Sequence, residues 1–214
     1  MQKPIMIMGA GGHAKVLIDA LKKLDRTILG ILDPSPSMST VLEIPVLGGD
    51  EVLERYHPDQ VDLINGLGSF KTVSSREQLF NKFKERGYNF SSVIHPNAIL
   101  SESCCLGEGV QILAGAIIQV GVELGKNVIV NTGSLVDHDC HIGEHCHIAP
   151  GVALSGNVKV GDKTHIGMCA AIIQGIEIGK ECLIGAGSVV IRSIPDSAVA
   201  YGNPAVVKET KTGF

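Results

Sequence analysis

Five of the eight histidines lie between residues 138 and 165. Most of them crowd into Asp137-His138-Asp139-Cys140-His141-Ile142-Gly143-Glu144-His145-Cys146-His147. Such a run of imidazoles, thiols and carboxylates admits two chemistries. Gathered on one ion, it is a metal site. Taken singly, His138 between two carboxylates is a proton acceptor, because a carboxylate that orients an imidazole also raises its basicity. A polar surface patch is the plain alternative. A second such segment opens the chain: Gly9-x-Gly11-x-x-Ala14 matches the glycine fingerprint of a phosphate-binding strand–turn–helix. Its glycines let backbone approach a phosphate, and the helix N-terminus adds amide donors and partial positive charge. Asp33, at the end of the next apolar run, stands where ribose or base contacts form. A tight turn that binds nothing would show the same glycines.

The histidine segment is positioned by a repeat. From Ile94 to Val190 every sixth residue is Ile, Leu or Val, 17 of 17 positions without an insertion. A hexapeptide period signals a parallel β-helix. The fifth position, from Ala98 to Ile194, is small or β-branched, as an inward site near a tight corner requires. Glycine recurs at the second position (Gly107, Gly125, Gly143, Gly161, Gly167, Gly179, Gly185), where a corner with positive φ is expected. The pattern resembles the left-handed β-helix of the hexapeptide acyltransferases, in which three hexads make one triangular turn. That resemblance supplies the handedness and implies between five and six coils. Cys104, Cys140, Cys146 and Cys182 occupy the inward fifth position as small apolar fillers. No two of them are 18 residues apart and no CxxC occurs, so reduced thiols are expected, in keeping with a cytoplasmic setting.

The register separates the histidines. His138 is at a third position, expected mid-side, whereas His141 and His147 are at sixth positions, expected on successive corners. One coil does not focus them on an ion, so no metal is expected, with zinc bridging two subunits left open. Gly156, 18 residues after His138, lies over it and leaves room for a substrate. His147 and His165 are expected to stack on one corner, and Met168 and Ala186 on the following side, outlining one vertical groove with Cys169 mid-side beside it. His138 is then a full side away from that groove. One site that uses both must come from two subunits, which implies a cyclic oligomer, most simply a trimer.

The rest of the chain narrows the class. Its 214 residues carry a net charge of −4, with 19% charged and 4% aromatic residues. That composition excludes a disordered chain and argues against a nucleic-acid surface. The apolar stretches are too short and glycine-broken to span a membrane, and the opening reads as a buried strand more than a signal peptide. A cytoplasmic protein is expected. Apolar runs at residues 4–8, 27–32 and 61–64 alternate with helical patterns at 15–21 and 75–86, the latter capped by Gly87. That implies a small parallel sheet. A complete dinucleotide domain takes about 150 residues, so roughly 90 suit a mononucleotide or nucleotide-sugar better than NAD. The organisation read here is α/β: a Rossmann-like domain over 1–90, the left-handed β-helix over 91–195 and a tail over 196–214.

Over essentially its whole length the chain resembles the bacterial nucleotide-sugar acetyltransferases that include the UDP-N-acetylbacillosamine N-acetyltransferases, with sialic acid O-acetyltransferases as relatives. The resemblance is carried by Gly9-Ala10-Gly11-Gly12-His13, Leu32-Asp33, the unbroken hexads, Asn131-Thr132-Gly133-Ser134 with His138-Asp139-Cys140, Ser155-Gly156-Asn157-Val158, and Gly202-Asn203-Pro204-Ala205. It implies an acetyl-CoA-dependent transfer, without metal, to the 4-amino group of a UDP-4-amino-4,6-dideoxy sugar in a homotrimer. His138 is then the general base and Asp139 its support. His147 contacts the acetyl thioester, and Met168, Ala186 and Gly156 line the coenzyme A site. Gly11, Gly12 and His13 hold the diphosphate, with Asp33, Pro34 and Gly68 near the uridine. Pro34 stands where relatives can have a second Asp and offers no side-chain acceptor. Sugar O-acetylation, a zinc hydratase of the γ-carbonic anhydrase type and a non-catalytic scaffold are the rival functions. The nucleotide fingerprint and the Gly-Asn-Pro-Ala tail argue against the hydratase.

Overall fold

The first apolar run is a fully buried strand, β1 (Ile5–Met8), in the computed structural model, which describes residues 2–68 and 74–210. Helix α1 (Gly12–Lys23) and strand β2 (Ile28–Leu32) follow, then a hairpin of β3 (Thr40–Val41) and β4 (Ile44–Gly48). A 3-10 turn (Asp50–Arg55), strand β5 (Asp62–Asn65) and helix α2 (Ser74–Glu85) complete the α/β part. The sheet order is β3-β4-β2-β1-β5. β1, β2, β4 and β5 are parallel, but β3 runs antiparallel to β4, so the expected parallel sheet is mixed at one edge. The hairpin turns on Leu42 and Glu43 with φ of 48° and 70°. Asn-Gly or Asp-Gly would have announced such a turn, and Leu-Glu does not. Successive residues of β1 face opposite sides: Ile5 and Ile7 pack with Leu17, Ile18 and Leu21 of α1, whereas Met6 and Met8 pack with Leu63, Phe80 and Phe83. Gly87, at φ +85°, follows α2, as its sequence position suggests.

From Val93 the chain is a parallel solenoid of two-residue strands that pair at a spacing of 18 residues, for example His147 with His165 and Leu135 with Ala153. The first-position side chains fill its interior together with the fifth-position ones, including Cys140, Cys146 and Cys182. All six cysteines are free thiols, and burial pushes the Cys146 thiol up to about 12.

The strands consist of the sixth and first positions, and the turns fall on the third and fourth. Three corrections follow. His147 and His165 lie on a flat face rather than a corner. His138, Met168 and Ala186 lie at corners rather than mid-side, and so does Cys169. The left-handed backbone expected for second-position glycines belongs to the fourth position instead, at Asn127, Asp139, His145, Asn157, Lys163, Cys169 and Glu181 among others. The second-position glycines are needed for a different reason: a Cβ on Gly125 would sit 2.7 Å from the Glu144 nitrogen of the next coil, and one on Gly161 2.6 Å from that of Lys180.

Three faces result. The first presents Ile99, Ile117, Leu135, Ala153, Ala171 and Val189 outward, the second Cys105, Glu123, His141, Lys159 and Glu177, and the third Gln111, Ile129, His147, His165 and Leu183. The α/β part covers the early coils of the third face, where Gln111, Ile129 and His147 are buried. A hairpin of strands Ala198–Gly202 and Ala205–Thr210 extends the same sheet at its far end. No helix among the described residues is long and apolar enough to cross a membrane.

Candidate functional site

Strand order reverses at β1, with β2 on one side and β5 on the other. In such sheets ligands bind beyond the carboxyl ends of the strands at this switch point. A cavity of about 580 Å³ lies there, lined by Ala10, Gly11, Gly12, His13, Val16, Asp33, Gly66, Leu67, Gly68, Asn131 and His147. It brings together Gly11, Gly12, His13, Asp33 and Gly68 and joins them to His147 of the solenoid. Pro34 is not part of its lining. Asp33 pins the turn: its Oδ2 accepts the Ala10 N–H at 2.9 Å and its Oδ1 the Ser35 N–H at 2.9 Å.

Gly9 is required by its own backbone, at φ +98°. Gly11 and Gly12 are not, and a Cβ on either would meet nothing within 4 Å. Nothing inside the protein asks for glycine there, so the space they leave belongs to the cavity. Intrahelical bonding in α1 begins only with the Lys15 N–H on the Gly11 carbonyl, the first turn carries no acidic residue, and Gly11 offers no side-chain cap. The amides of Gly12, His13 and Ala14 are therefore donors suited to an anion. Gly12→Val is expected to fold with an unchanged melting temperature and to lose nucleotide binding by titration calorimetry.

His13 contributes differently from a charged phosphate ligand. Burial, then the nearby Arg76 charge, hold its pKa down at about 4, so the ring is neutral. The Gln111 amide nitrogen donates to the Asn65 carbonyl at 2.8 Å, so Gln111 Oε1 is an acceptor and takes the proton of His13 Nε2 at 2.7 Å. Gln111, missed from the sequence, is a sixth-position residue on the face that the α/β part covers.

His138 stands at the corner between the first and second faces. Its Nδ1 is 2.8 Å from Asp139 Oδ2. A carboxylate only accepts, so Nδ1 carries the proton and Nε2 keeps the lone pair. The hydrogen bond to Asp139 is the largest effect on His138 and raises its pKa; desolvation opposes it, and the charges of Asp137 and Asp139 add to the rise. Asp137 spends Oδ1 on the His138 backbone N–H at 2.8 Å. A Cβ on Gly156 would lie 2.4 Å from His138 Nε2, so only glycine leaves that lone pair accessible. A Cβ on Gly121, one coil below, would likewise lie 2.6 Å from Asp139 Oδ1. The 18-residue spacing that singled out Gly156 also marks Gly121.

On the third face His147 and His165 pack edge to face at 4.8 Å. The Asn131 amide nitrogen donates to His147 Nε2 at 3.0 Å, its oxygen being occupied by the Thr132 N–H at 2.8 Å. His147 therefore carries its proton on Nδ1 and is a hydrogen-bond donor. Met168 and Ala186 are exposed on the corner between the third and first faces. The corner that bears His138 is opposite the third face, so no single subunit unites His138 with His147. A larger depression of about 1000 Å³ runs along the second face, where polar side chains engage each other: His141 Nδ1 lies 3.1 Å from Glu123 Oε2, and Lys159 pairs with Glu177 at 2.8 Å.

Comparison with known proteins matches both parts of this arrangement. Residues 4–83 fit the PglD N-terminal domain, and residues 121–156 and 157–192 fit the bacterial transferase hexapeptide (six repeats). PerB from Caulobacter crescentus, solved with CoA and GDP-perosamine, is 38% identical over 98% of this chain and 99% of its own, with a TM-score of 0.90. This chain belongs to the PglD-type nucleotide-sugar N-acetyltransferases with hexapeptide repeats. The acetyltransferase domain of PglB from Neisseria gonorrhoeae, solved with acetyl coenzyme A, is 34% identical over 97% of this chain and 100% of its own, with a TM-score of 0.91. WeeI from Acinetobacter baumannii is 25% identical over 97% of this chain and 100% of its own, with a TM-score of 0.85. No curated protein sequence gives a significant match. As a PglD-type enzyme, the protein transfers an acetyl group from CoA to a sugar amino group.

Proposed function

We propose that the acceptor is the 4-amino group of a nucleoside-diphospho-4-amino-4,6-dideoxy sugar, that the donor is acetyl-CoA in the cytoplasm, and that each site is shared between subunits of a trimer. The observation that carries the acceptor is the single cavity lined both by the fingerprint residues and by His147. In this reading the diphosphate lies on the α1 N-terminus at Gly11, Gly12 and His13, with the base toward Asp33 and Gly68. The resemblance to the UDP-N-acetylbacillosamine enzymes makes the nucleotide UDP. GDP is the second reading, favoured by the 38% identity to an enzyme solved with GDP-perosamine.

The neutral amine attacks the thioester carbonyl, and His138 Nε2 removes the proton that the nitrogen must lose as the C–N bond forms. Collapse of the tetrahedral adduct breaks the C–S bond, and the proton passes from His138 to the departing thiolate. Backbone amides beside His147, which lines the same cavity, suit the developing oxyanion. CoA would lie along the corner of Met168 and Ala186, and no residue carries the acetyl group covalently.

The subunit sharing rests on the first face. All six of its outward residues are apolar, and Ile99 is 63% exposed. Its two edges are the corner bearing His138 and the corner bearing Met168 and Ala186. A closed ring packs one edge of this face on one subunit against the other edge on the next. That brings the base to its neighbour's groove and covers the apolar face.

Thiol release from acetyl-CoA, measured with UDP- and GDP-linked 4-amino sugars, tests the acceptor and identifies the nucleotide. Removing residues 1–90 is expected to abolish UDP or GDP binding while leaving an oligomer that binds acetyl-CoA. Amino-sugar acetylation by that truncated protein with an unchanged KM would show that the α/β part is not the acceptor site.

A further inference from the structure

Behind the wall of the nucleotide cavity lies a guanidinium that the chemistry above does not use. Arg76, in the first turn of α2, is 1% exposed. Its Nη1 donates to the Asn65 carbonyl at 2.8 Å and to the Leu67 carbonyl at 2.7 Å. Among the described residues, its Nε and Nη2 have no hydrogen-bond partner. Among the described residues no ion pair offsets its burial, which lowers its pKa to about 9, so it remains cationic at neutral pH. A buried charge normally has a counter-ion, because desolvation is costly.

Arg76 has two links to the cavity. The carbonyls it grips belong to the segment Asn65-Gly66-Leu67-Gly68, whose last three residues form one wall. That wall closes on the fingerprint: a Cβ on Gly9 would lie 2.8 Å from Leu67 Cδ2, and one on Gly68 3.5 Å from His13 Cβ. The Asn65 carbonyl is shared with Gln111, which in turn holds His13. The second link is electrostatic. Arg76 helps to keep His13 neutral, so its field reaches the helix N-terminus where a diphosphate would lie. In a low-dielectric interior a charge acts over longer distances than in water.

We propose that Arg76 is a positioning residue of the nucleotide site: it fixes the Asn65–Gly68 wall and supplies, from behind that wall, the positive charge that the bound diphosphate balances. The fingerprint contributes no side-chain cation of its own, and Arg76 supplies one without occupying the cavity. The proposal rests on the nucleoside-diphosphate reading and adds the source of its charge complementarity.

The test uses the full-length protein and titration calorimetry with UDP, GDP, uridine, guanosine and inorganic pyrophosphate, alongside steady-state kinetics. Arg76→Met is expected to weaken binding of the nucleoside diphosphate and of pyrophosphate by about tenfold or more. The phosphate-free nucleoside, which meets the wall but not the charge, should lose clearly less. The KM for the amino sugar should rise in step, with kcat at saturation and the KM for acetyl-CoA unchanged. Arg76→Lys, which keeps a cation, should retain most of the phosphate-dependent affinity, and it carries the test if the methionine variant does not fold. Equal losses for nucleoside and diphosphate would reduce Arg76 to a packing role and overturn the proposal, as would a folded lysine variant without the phosphate increment. Wild-type protein that binds neither UDP nor GDP overturns the nucleotide reading and this proposal together. Wild-type binding that Arg76→Met leaves intact overturns only the proposal.

Discussion

Replacing His138 by alanine is expected to lower kcat by about 10²–10⁴-fold while leaving the KM of both substrates little changed. The ring stands at a corner, with Nδ1 committed to Asp139 at 2.8 Å and Nε2 over Gly156, where it is placed to take a proton rather than to hold a substrate. Asp139→Asn should do less damage and should also move the pH profile. The hydrogen bond that His138 donates to Asp139 raises the pKa of His138, and a general base works in its deprotonated form. The rate therefore rises with pH as His138 loses its proton. Without the Asp139 charge that acid limb moves to lower pH, and the plateau above it falls because the base is weaker. Stopped-time assays of CoA thiol across the pH range measure both effects. Near wild-type turnover in His138→Ala, or an unmoved acid limb in Asp139→Asn, would remove the Asp139–His138 pair from the mechanism.

Mixing two inactive variants should restore activity. His138→Ala destroys the base, and Ala186→Trp fills the groove on a different corner. If each site takes its base from one subunit and its groove from the next, a site works wherever an intact base meets an intact groove across an interface. In a ring assembled at random from equal amounts of the two, about one interface in four meets that condition, so about a quarter of wild-type activity returns. If both elements came from one chain, every site would carry one lesion and the mixture would stay inactive. The measurement is thiol release after the variants are denatured and refolded together, with mass spectrometry of differentially tagged subunits to establish that mixed rings have formed.

The solenoid was legible because its constraint is local and repeated. Each coil buries its first and fifth positions regardless of what the distant chain does, so the 17 positions from Ile94 to Val190 determined the period and the inward cysteines, and the three hexads per turn implied by the resemblance added the 18-residue stacking and the placement of Gly156 over His138. The glycine fingerprint was legible for a related reason: strand, turn and helix are contiguous, whereas only the fold shows that nothing inside the protein requires Gly11 or Gly12. The separation of His138 from His147 also followed from register alone, although the expected sides and corners were exchanged. A hexad count gives phase but not which phase bends. The bend was set by the left-handed backbone at the fourth position, carried by Asp139, His145 and Cys169 as well as by glycines. Asn, Asp and His favour that conformation and point to the fourth position, but glycine recurs equally at the second, and Lys163, Cys169 and Glu181 give no signal for it. The β3–β4 hairpin was hidden in the same way by Leu42 and Glu43. The apolar first face could have been read from the sixth positions of every third hexad, but its meaning depends on which corner lies at each edge. What remained belongs to the tertiary structure alone. The tautomer of His13 depends on Gln111, 98 residues away, and the charge of Arg76 matters because the chain folds it behind the Asn65–Gly68 wall. Burial and hydrogen bonding between distant segments decide which nitrogen carries a proton and which charge lacks a partner, and only folding brings those segments together.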